Sequence, residues 1–409
     1  MTSINTTCCV VGGGPAGMMT GLLLSRAGIE TLVIEKHKDF FRDFRGDTVH
    51  PSTLELMEEL GLLKAFLKIP HQQVTMLGGE IGDDIISLAD FSHLGTVCKF
   101  IALMPQWDFL DFLAAQARSY KTFSLKMNTE ATGIIENSGR VVGIKARGPE
   151  GEIQINSQLV IACDGRSSII RQAAGLSVRD IGAPMDVLWM RLSRLESDPG
   201  RILGRLKPGA MFVMLDRGEY WQCGFIIKKG QFDELKAEGL DAFRQQIRAI
   251  VPFMADRLDE LKSWDDVKLL QVKVDRLEEW HRDGLVCIGD AAHAMSPVGG
   301  VGINLAVQDA VAAANILWKP LAEGRCERAD LARLQKRRSY PTRMTQAMQV
   351  LIQNQVIGRT LSSGEVKAPV LAKAFNLIPL LRQIPANIIG IGFRPEHIES
   401  PKITQPIFP

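Results

Sequence analysis

The spacing of apolar residues changes character several times along this chain. Residues Thr7–Glu35 open with the apolar run "CCVV". They pass through a glycine-rich turn into a helix-length apolar stretch, Ala16 to about Arg26, and end on "TLVIE". Short apolar runs on either side of a helix-length run predict a strand, a helix and a strand buried on both faces. Residues Gln106–Asp164 predict a helix over Gln106–Tyr120, a hairpin around Asn137-Ser138-Gly139 in "ATGIIENSGRVVGIKAR", and a buried strand in "LVIACD". Residues Leu285–Trp318 repeat the first texture: the strand "LVCIG", a loop and a helix.

Between these segments the period shortens to two. Residues 71–98 and about 180–270 carry runs such as "AMFVML" and "YWQCGFII", with turns such as Asp216-Arg217-Gly218. That pattern predicts an antiparallel sheet. After residue 330 the pattern is helical. The expected fold is α/β. A parallel-sheet domain is made of residues 1–70, 99–178 and 270–345. It is interleaved with a β-sheet domain, 71–98 and 179–269, and followed by a helical region, 346–409.

Composition changes this picture little. The chain has 409 residues, 46% hydrophobic and 23% charged, with net charge +2. Those values suit a soluble two-domain protein and give no footprint for nucleic acid. Seven cysteines without a C-x-x-C pair read as free thiols in a reducing cytoplasm. "TCCVVGGGPAGMMTGLLLSRAG" is apolar but lacks the basic start of a secretory signal. "AFNLIPLLRQIPANIIGIGF", Ala374 to Phe393, has spanning length, yet Pro379, Pro385, Arg382 and two asparagines argue against a span. Packing against the core is expected there, with contact at a membrane surface as the lesser alternative. No metal-ligand spacing occurs among the seven histidines.

Three glycine-bearing motifs carry the chemistry. "VVGGGPAGMMTG" fits G-x-G-x-x-G at Gly12, Gly14 and Gly17, between an apolar strand and a helix. Gly12 permits the tight turn, Gly14 lets a pyrophosphate approach, and Gly17 lets helix and strand pack closely. The helix N-terminus then faces the phosphates. Glu35 closes the next strand, where a carboxylate accepts hydrogen bonds from adenosine ribose hydroxyls. The chain therefore predicts a Rossmann-like dinucleotide site. The second motif, "CDGRSS" (Cys163–Ser168), and the third, "GDAAHAMSPVGGVGIN" (Gly289–Asn304), each come directly after a buried strand. His293 suits a structural hydrogen bond better than catalysis. His50, just before a helix starting at Pro51, either begins that helix or faces a ligand.

In order and spacing, these motifs resemble the group A flavoprotein monooxygenases of the para-hydroxybenzoate hydroxylase type. The resemblance covers about residues 7–345. It implies bound FAD. Gly12, Gly14, Ala16 and Gly17 would hold the pyrophosphate and Glu35 the adenosine ribose, with Lys36 beside it in the cofactor site. Arg45 would contact the phosphates, Gln106 the ribityl chain, the backbone of Ala131 the adenine, and Asp290 a ribityl hydroxyl. The family links the position of Asp164 to both FAD and NAD(P)H. Pro297, Gly300, Gly302, Ile303 and Asn304 would form a platform under the flavin's pyrimidine edge, and the helix N-terminus there would favour the anionic reduced ring. Val301 stands where para-hydroxybenzoate hydroxylase has a lysine, which leaves that dipole and the N–H groups as the local stabilisers.

The resemblance further implies transient binding of NADH or NADPH, then O2 activation as a C4a-hydroperoxyflavin and hydroxylation of an aromatic or polyketide-like small molecule. Catalysis would be centred on the flavin, with Arg45 and His50 as minor protein candidates. Met211, Val213, Trp221, Cys223 and Phe225, spaced by twos, are the candidate substrate-lining residues. The alternatives are a reductase or halogenase of the same fold, or a non-catalytic flavin-binding protein. The W-x-W-x-I-P signature of the halogenases is missing from this sequence.

Overall fold

The structure is a computed structural model and describes residues 2–41, 48–82, 84–199, 204–362 and 370–403. At its centre is the strand Thr2–Val11. It pairs in parallel with Thr31–Ile34 on one side and Gly151–Ala162 on the other. Phe123–Lys126 and Leu285–Cys287 extend this parallel set at either side. Cys8, Cys9, Val10 and Val11 are buried, as a strand covered on both faces requires. The expected hairpin is present: Glu130–Asn137 pairs with Arg140–Gly148, and Ser138 and Gly139 both take positive φ (49° and 82°). Two positive φ angles are what a two-residue hairpin loop demands.

The helix Pro15–Arg26 packs on this sheet at close range. A Cβ on Gly21 would lie 2.6 Å from Val33 Cγ2 and 2.9 Å from Phe123. The helix Gly302–Ala322 packs beside it. Among the described residues, Val298–Ala322 is the one helix long and apolar enough to cross a membrane, and it runs through the core.

A second sheet has seven strands, in the order Lys268–Leu270, Met185–Ser193, Tyr220–Lys228, Ala210–Asp216, Gly204–Lys207, Met76–Ile81, Asp84–Asp90. The interleaved α/β fold is thus as the pattern predicts. Between the sheets, Thr48–Val49 and Gln72–Val74 both pair with Ile101–Leu103. One face of the second sheet is covered by the helices Phe232–Glu238 and Leu240–Ile250, the latter inserting Phe243, Ile247 and Ile250. On the other face Met211, Val213, Val187 and Trp189 share a cluster with Val298 of the third motif and with Ile357 and Leu361 of the C-terminal region.

This arrangement divides the candidate substrate residues. Phe212 pairs with Phe225, Met214 with Cys223 and Asp216 with Trp221, so these share one face. Met211 and Val213 lie on the other. Trp221, Cys223 and Phe225 therefore belong to the helix-covered core, and only Met211 and Val213 face the third motif. Each strand alternates as expected, but spacing within a strand does not give its phase relative to its neighbour.

The helix Arg328–Ile352 and a chain of short helices close the structure. Within Ala374–Phe393 the longest described helices have eight residues each, Val370–Leu377 and Gln383–Gly390. Ala386 and Gly390 are buried, the latter against Phe91 and Leu94, while Leu377, Leu380 and Ile384 stay exposed.

The second sheet has its own buried ion pair. Asp198 accepts from both terminal nitrogens of Arg257 (2.7 and 3.0 Å), from Trp221 Nε1 (2.8 Å) and from Leu195 N (3.0 Å). Asp198→Ala would remove the bidentate partner of this guanidinium and leave it only the exposed Asp256 carboxylate (2.9 Å) and the carbonyls of Ser193 and Phe253. It should cost about 1–3 kcal/mol, measured as a lowered urea midpoint against the parent protein.

Candidate functional site

The parallel register builds the site. Val11 stands opposite Ile34 and Ala162, and Ala162 opposite Cys287. Four strands thus end at one level, and each runs out into a site segment, which begins at Gly12, Glu35, Asp164 or Gly289. Ligands of open α/β sheets bind beyond the carboxyl ends of such strands.

The fingerprint turn is tightly defined. Gly12 has φ +104°, and a Cβ there would lie 2.5 Å from the Cys163 carbonyl oxygen. A Cβ on Gly17 would lie 1.9 Å from the Gly12 oxygen. Gly14, the N-cap of the helix Pro15–Arg26, instead has no atom of the described residues beyond its own turn within 4 Å of the place its Cβ would occupy. Two glycines make the turn, and the third leaves open space at a helix N-terminus, the setting a pyrophosphate needs. Ala16 is buried behind it against Gly289, whose Cβ would be 3.1 Å from Ala16 Cβ. Glu35 reaches back over the turn, accepting from Gly13 N (2.9 Å) and His37 N (3.1 Å). Lys36 is exposed next to it, and Ala131 lies buried in the strand that leaves Thr129, whose N–H bonds the Glu35 carbonyl.

On the second motif, Asp164 accepts from Ile170 N through Oδ2 (3.2 Å). Its Oδ1 is buried without a hydrogen-bond partner among the described residues. Burial pushes this carboxyl up, against the hydrogen bonds that favour its charge. A buried oxygen without a partner and an open cradle at Gly14 fit a polar ligand such as FAD. Asp290 meets Arg166 of the second motif at 3.3 Å, with both side chains about one-third exposed and available to a ligand. Gln106 begins the helix Gln106–Ala117 and is partly buried. Arg45 lies outside the described residues.

The third motif is a braced loop. Gly299 and Gly300 take φ +77° and +64°, and a Cβ on Gly300 would be 2.5 Å from Thr48 Oγ1. Thr48 Oγ1 donates to the Gly300 carbonyl (2.8 Å). Asn304 accepts from His50 N (2.9 Å) and Thr53 Oγ1 (2.7 Å), and donates to the carbonyls of Thr48 (3.2 Å) and Gly300 (3.4 Å). The Asn304 side chain is thus committed to holding the loop, together with the backbone of Pro297, Gly302 and Ile303 at the start of the helix. Its conformation is further fixed by three glutamines that sequence reading missed. Gln346 Nε2 donates to the carbonyls of Asp275 and Ala294. Gln349 bonds Ser296 and Val298, and Gln353 bonds Ser296 Oγ. Their i, i+3, i+7 spacing marks one helix face and was the available signal.

His293 sits in a buried ionic chain. Its Nε2 lies 2.6 Å from Asp309 Oδ2, which also accepts from Gly289 N (3.0 Å). Arg338 donates to Asp309 Oδ1 (2.8 Å) and to Glu396 (3.1 Å). Burial alone would raise the Asp309 carboxyl, but His293 and Arg338 hold it below its ordinary value. His293 is a structural partner here. His50 is buried too. Its Nδ1 is 2.7 Å from the Ile389 carbonyl, and burial pushes its pKa down to about 4. A neutral imidazole donating from Nδ1 ties the C-terminal helix to the loop.

With this geometry in place, comparison with known proteins is informative. A family model described as "FAD binding domain" matches residues 5–348. 6-Methylpretetramide 4-monooxygenase from Streptomyces rimosus is 32% identical over 377 residues, 91% of this chain and 89% of that protein. Among solved structures, anhydrotetracycline hydroxylase from Streptomyces rimosus aligns with TM-score 0.73 at 22% identity, covering 95% of this chain and 76% of that one. p-Nitrophenol 4-monooxygenase from Pseudomonas putida DLL-E4 aligns with TM-score 0.75 at 19% identity, covering 95% and 98%.

The geometry makes two outcomes measurable. Gly14→Val should fold with a thermal midpoint near the parent's yet retain no FAD, read from flavin absorbance after gel filtration, whereas Gly17→Ala should fail to fold stably. Neutral His50 titrates near 6.5 when unfolded and about 4 when folded, so the unfolded chain binds the extra proton between these values. Its share of stability is present above pH ~6.5 and falls by about 3 kcal/mol as the pH drops to ~4. Denaturation curves of His50→Asn should lack that part of the acid-side slope.

Proposed function

Because this chain belongs to the FAD-binding-domain family of FAD-dependent aromatic monooxygenases and is an FAD-dependent oxidoreductase, we propose that it hydroxylates a polycyclic, polyketide-like aromatic. Electrons come from NADH or NADPH and one oxygen atom from O2. The observation that carries this reading is the meeting of the braced third motif with the apolar sheet face of Met211, Val213 and Trp189. In this reading residues 1–70, 99–178 and 270–345 bind the cofactor, and 71–98 and 179–269 bind the substrate. The relatives named for acting on 6-methylpretetramide and anhydrotetracycline support a fused-ring substrate. The seven free cysteines support a cytoplasmic setting.

Bound FAD supplies the electron relay and the activation of O2. The chain's residues do the rest. The backbone at Gly14 and the helix N-terminus behind it would hold the pyrophosphate, Glu35 the adenosine ribose, and Asp290 a ribityl hydroxyl. The N-terminus of the helix Gly302–Ala322 would supply partial positive charge to a flavin bound against the third motif. The sheet face opposite excludes water and orients the aromatic ring. Among the described residues no group of His, Cys, Asp or Glu could hold a metal ion.

The purified protein should be yellow and release FAD on denaturation. Fused-ring phenols should stimulate NAD(P)H oxidation in air and gain one oxygen atom by mass spectrometry. A product that gains only hydrogen, formed without O2, would overturn the proposal in favour of a reductase. Asp290→Ala should weaken FAD binding about tenfold, the size of one hydrogen bond to a charged group.

A further inference from the structure

The sheet face that meets the third motif continues outward into an open cavity. Along the strand Met185–Ser193, alternate residues on this face are Val187, Trp189 and Arg191. Val187 and Trp189 belong to the cluster that contains Val298. Arg191, opposite Gln222, reaches a cavity of about 410 Å³ between the two sheets. Its inner wall, from the first sheet's side, carries Phe41 and Trp107, whose rings lie 4.8 Å apart.

Two polar groups on this strand have no hydrogen-bond partner among the described residues. The Arg191 guanidinium lies 3.8 Å from the centre of the Tyr220 ring and is exposed, and no carboxylate among the described residues pairs with it. Stacking on Tyr220 fixes the plane of the fork and leaves its N–H edge free. Arg217 lines the same cavity, but its Nε and one terminal nitrogen are 3.3 Å from Gln222 Oε1. Asp108, the one acid among the described residues lining the cavity, comes from the opposite wall. The second group is Trp189 Nε1, buried with no hydrogen-bond partner. Its ring lies over Gly224, where a Cβ would approach it to 3.1 Å. Two residues along a strand place the Cα atoms of Trp189 and Arg191 roughly 7 Å apart.

We propose that the strand Met185–Ser193 selects a planar, fused-ring substrate bearing an anionic oxygen group. Arg191 on Tyr220 takes the anion at the cavity, and the Trp189 N–H takes a ring carbonyl or hydroxyl oxygen nearer the third motif. This rests on the proposed hydroxylase reading and adds the charge and length of the substrate to it. A carboxylate or phenolate meets a guanidinium in bidentate or forked fashion, which a neutral amide of the same shape cannot match.

The test is binding without turnover. Anthraquinone-2-carboxylate and anthraquinone-2-carboxamide are titrated into the FAD-loaded protein by calorimetry, with no nicotinamide present. The acid should bind about tenfold more tightly than the amide. Arg191→Gln should remove that preference and leave amide affinity unchanged. Trp189→Phe should weaken both probes by a similar factor and leave their ratio as it was. An acid preference that survives Arg191→Gln, or absence of binding by both probes at millimolar concentration, would overturn the proposal. Indifference of both probes to Trp189→Phe would remove the indole from it. Charge selection without oxygen transfer would instead remove the hydroxylase reading and leave this one standing.

Discussion

The level ending of four parallel strands is the constraint on which the site depends. Val11, Ile34, Ala162 and Cys287 are held in register by backbone hydrogen bonds, and each gives way to residues that leave the ladder. A slip of one residue would move Asp164 or Gly289 away from the fingerprint turn and turn buried side chains to the wrong face. The glycines make this closeness physically allowed. Gly17 touches Gly12, Gly12 touches Cys163, Gly21 touches Val33, and Gly289 touches Ala16, each at a distance no Cβ tolerates comfortably. Motifs more than a hundred residues apart thereby share a few ångströms of space.

The third motif has little regular structure of its own, so it is shaped from outside. Asn304 holds Gly300 and the segment before Pro51. The glutamine face of the helix Arg328–Ile352 holds residues 294–298. Asp309, His293, Arg338 and Glu396 form one buried ionic chain between the loop, two helices and the C-terminal segment. Buried charges of this kind add little net stability over an apolar core, but removing one partner is costly. We read this ionic chain as a fixture for the geometry of the loop.

Much of this was legible in the residues. Local periodicity gave the first strand–helix–strand unit, the hairpin at Ser138-Gly139 and the alternating sheet, because those patterns depend on neighbours within a few residues. The first glycine motif gave a dinucleotide, because close phosphate approach imposes the same steric demand wherever it occurs, and FAD came only with the family resemblance. His293 could be set aside as structural from its place in a turn. The fate of Asn304 was less accessible: its motif position suggested a ligand role, while its four hydrogen bonds hold the loop. Most partners of those bonds lie some 250 residues earlier, and no local pattern announces them.

The sequence by itself thus determined the parallel α/β core and the glycine turn, since each rests on short-range spacing and on backbone sterics, while the flavin family came from the order of three motifs and their resemblance to known monooxygenases. Tertiary structure decided which sheet face looks at the third motif. Trp221, Cys223 and Phe225 alternate as faithfully as Met211 and Val213, but the pairing of Phe212 with Phe225 puts the first three under helices. A strand's alternation fixes which residues share a face. Only its hydrogen-bonded register with the next strand, and the elements packed on each side, fix which face that is.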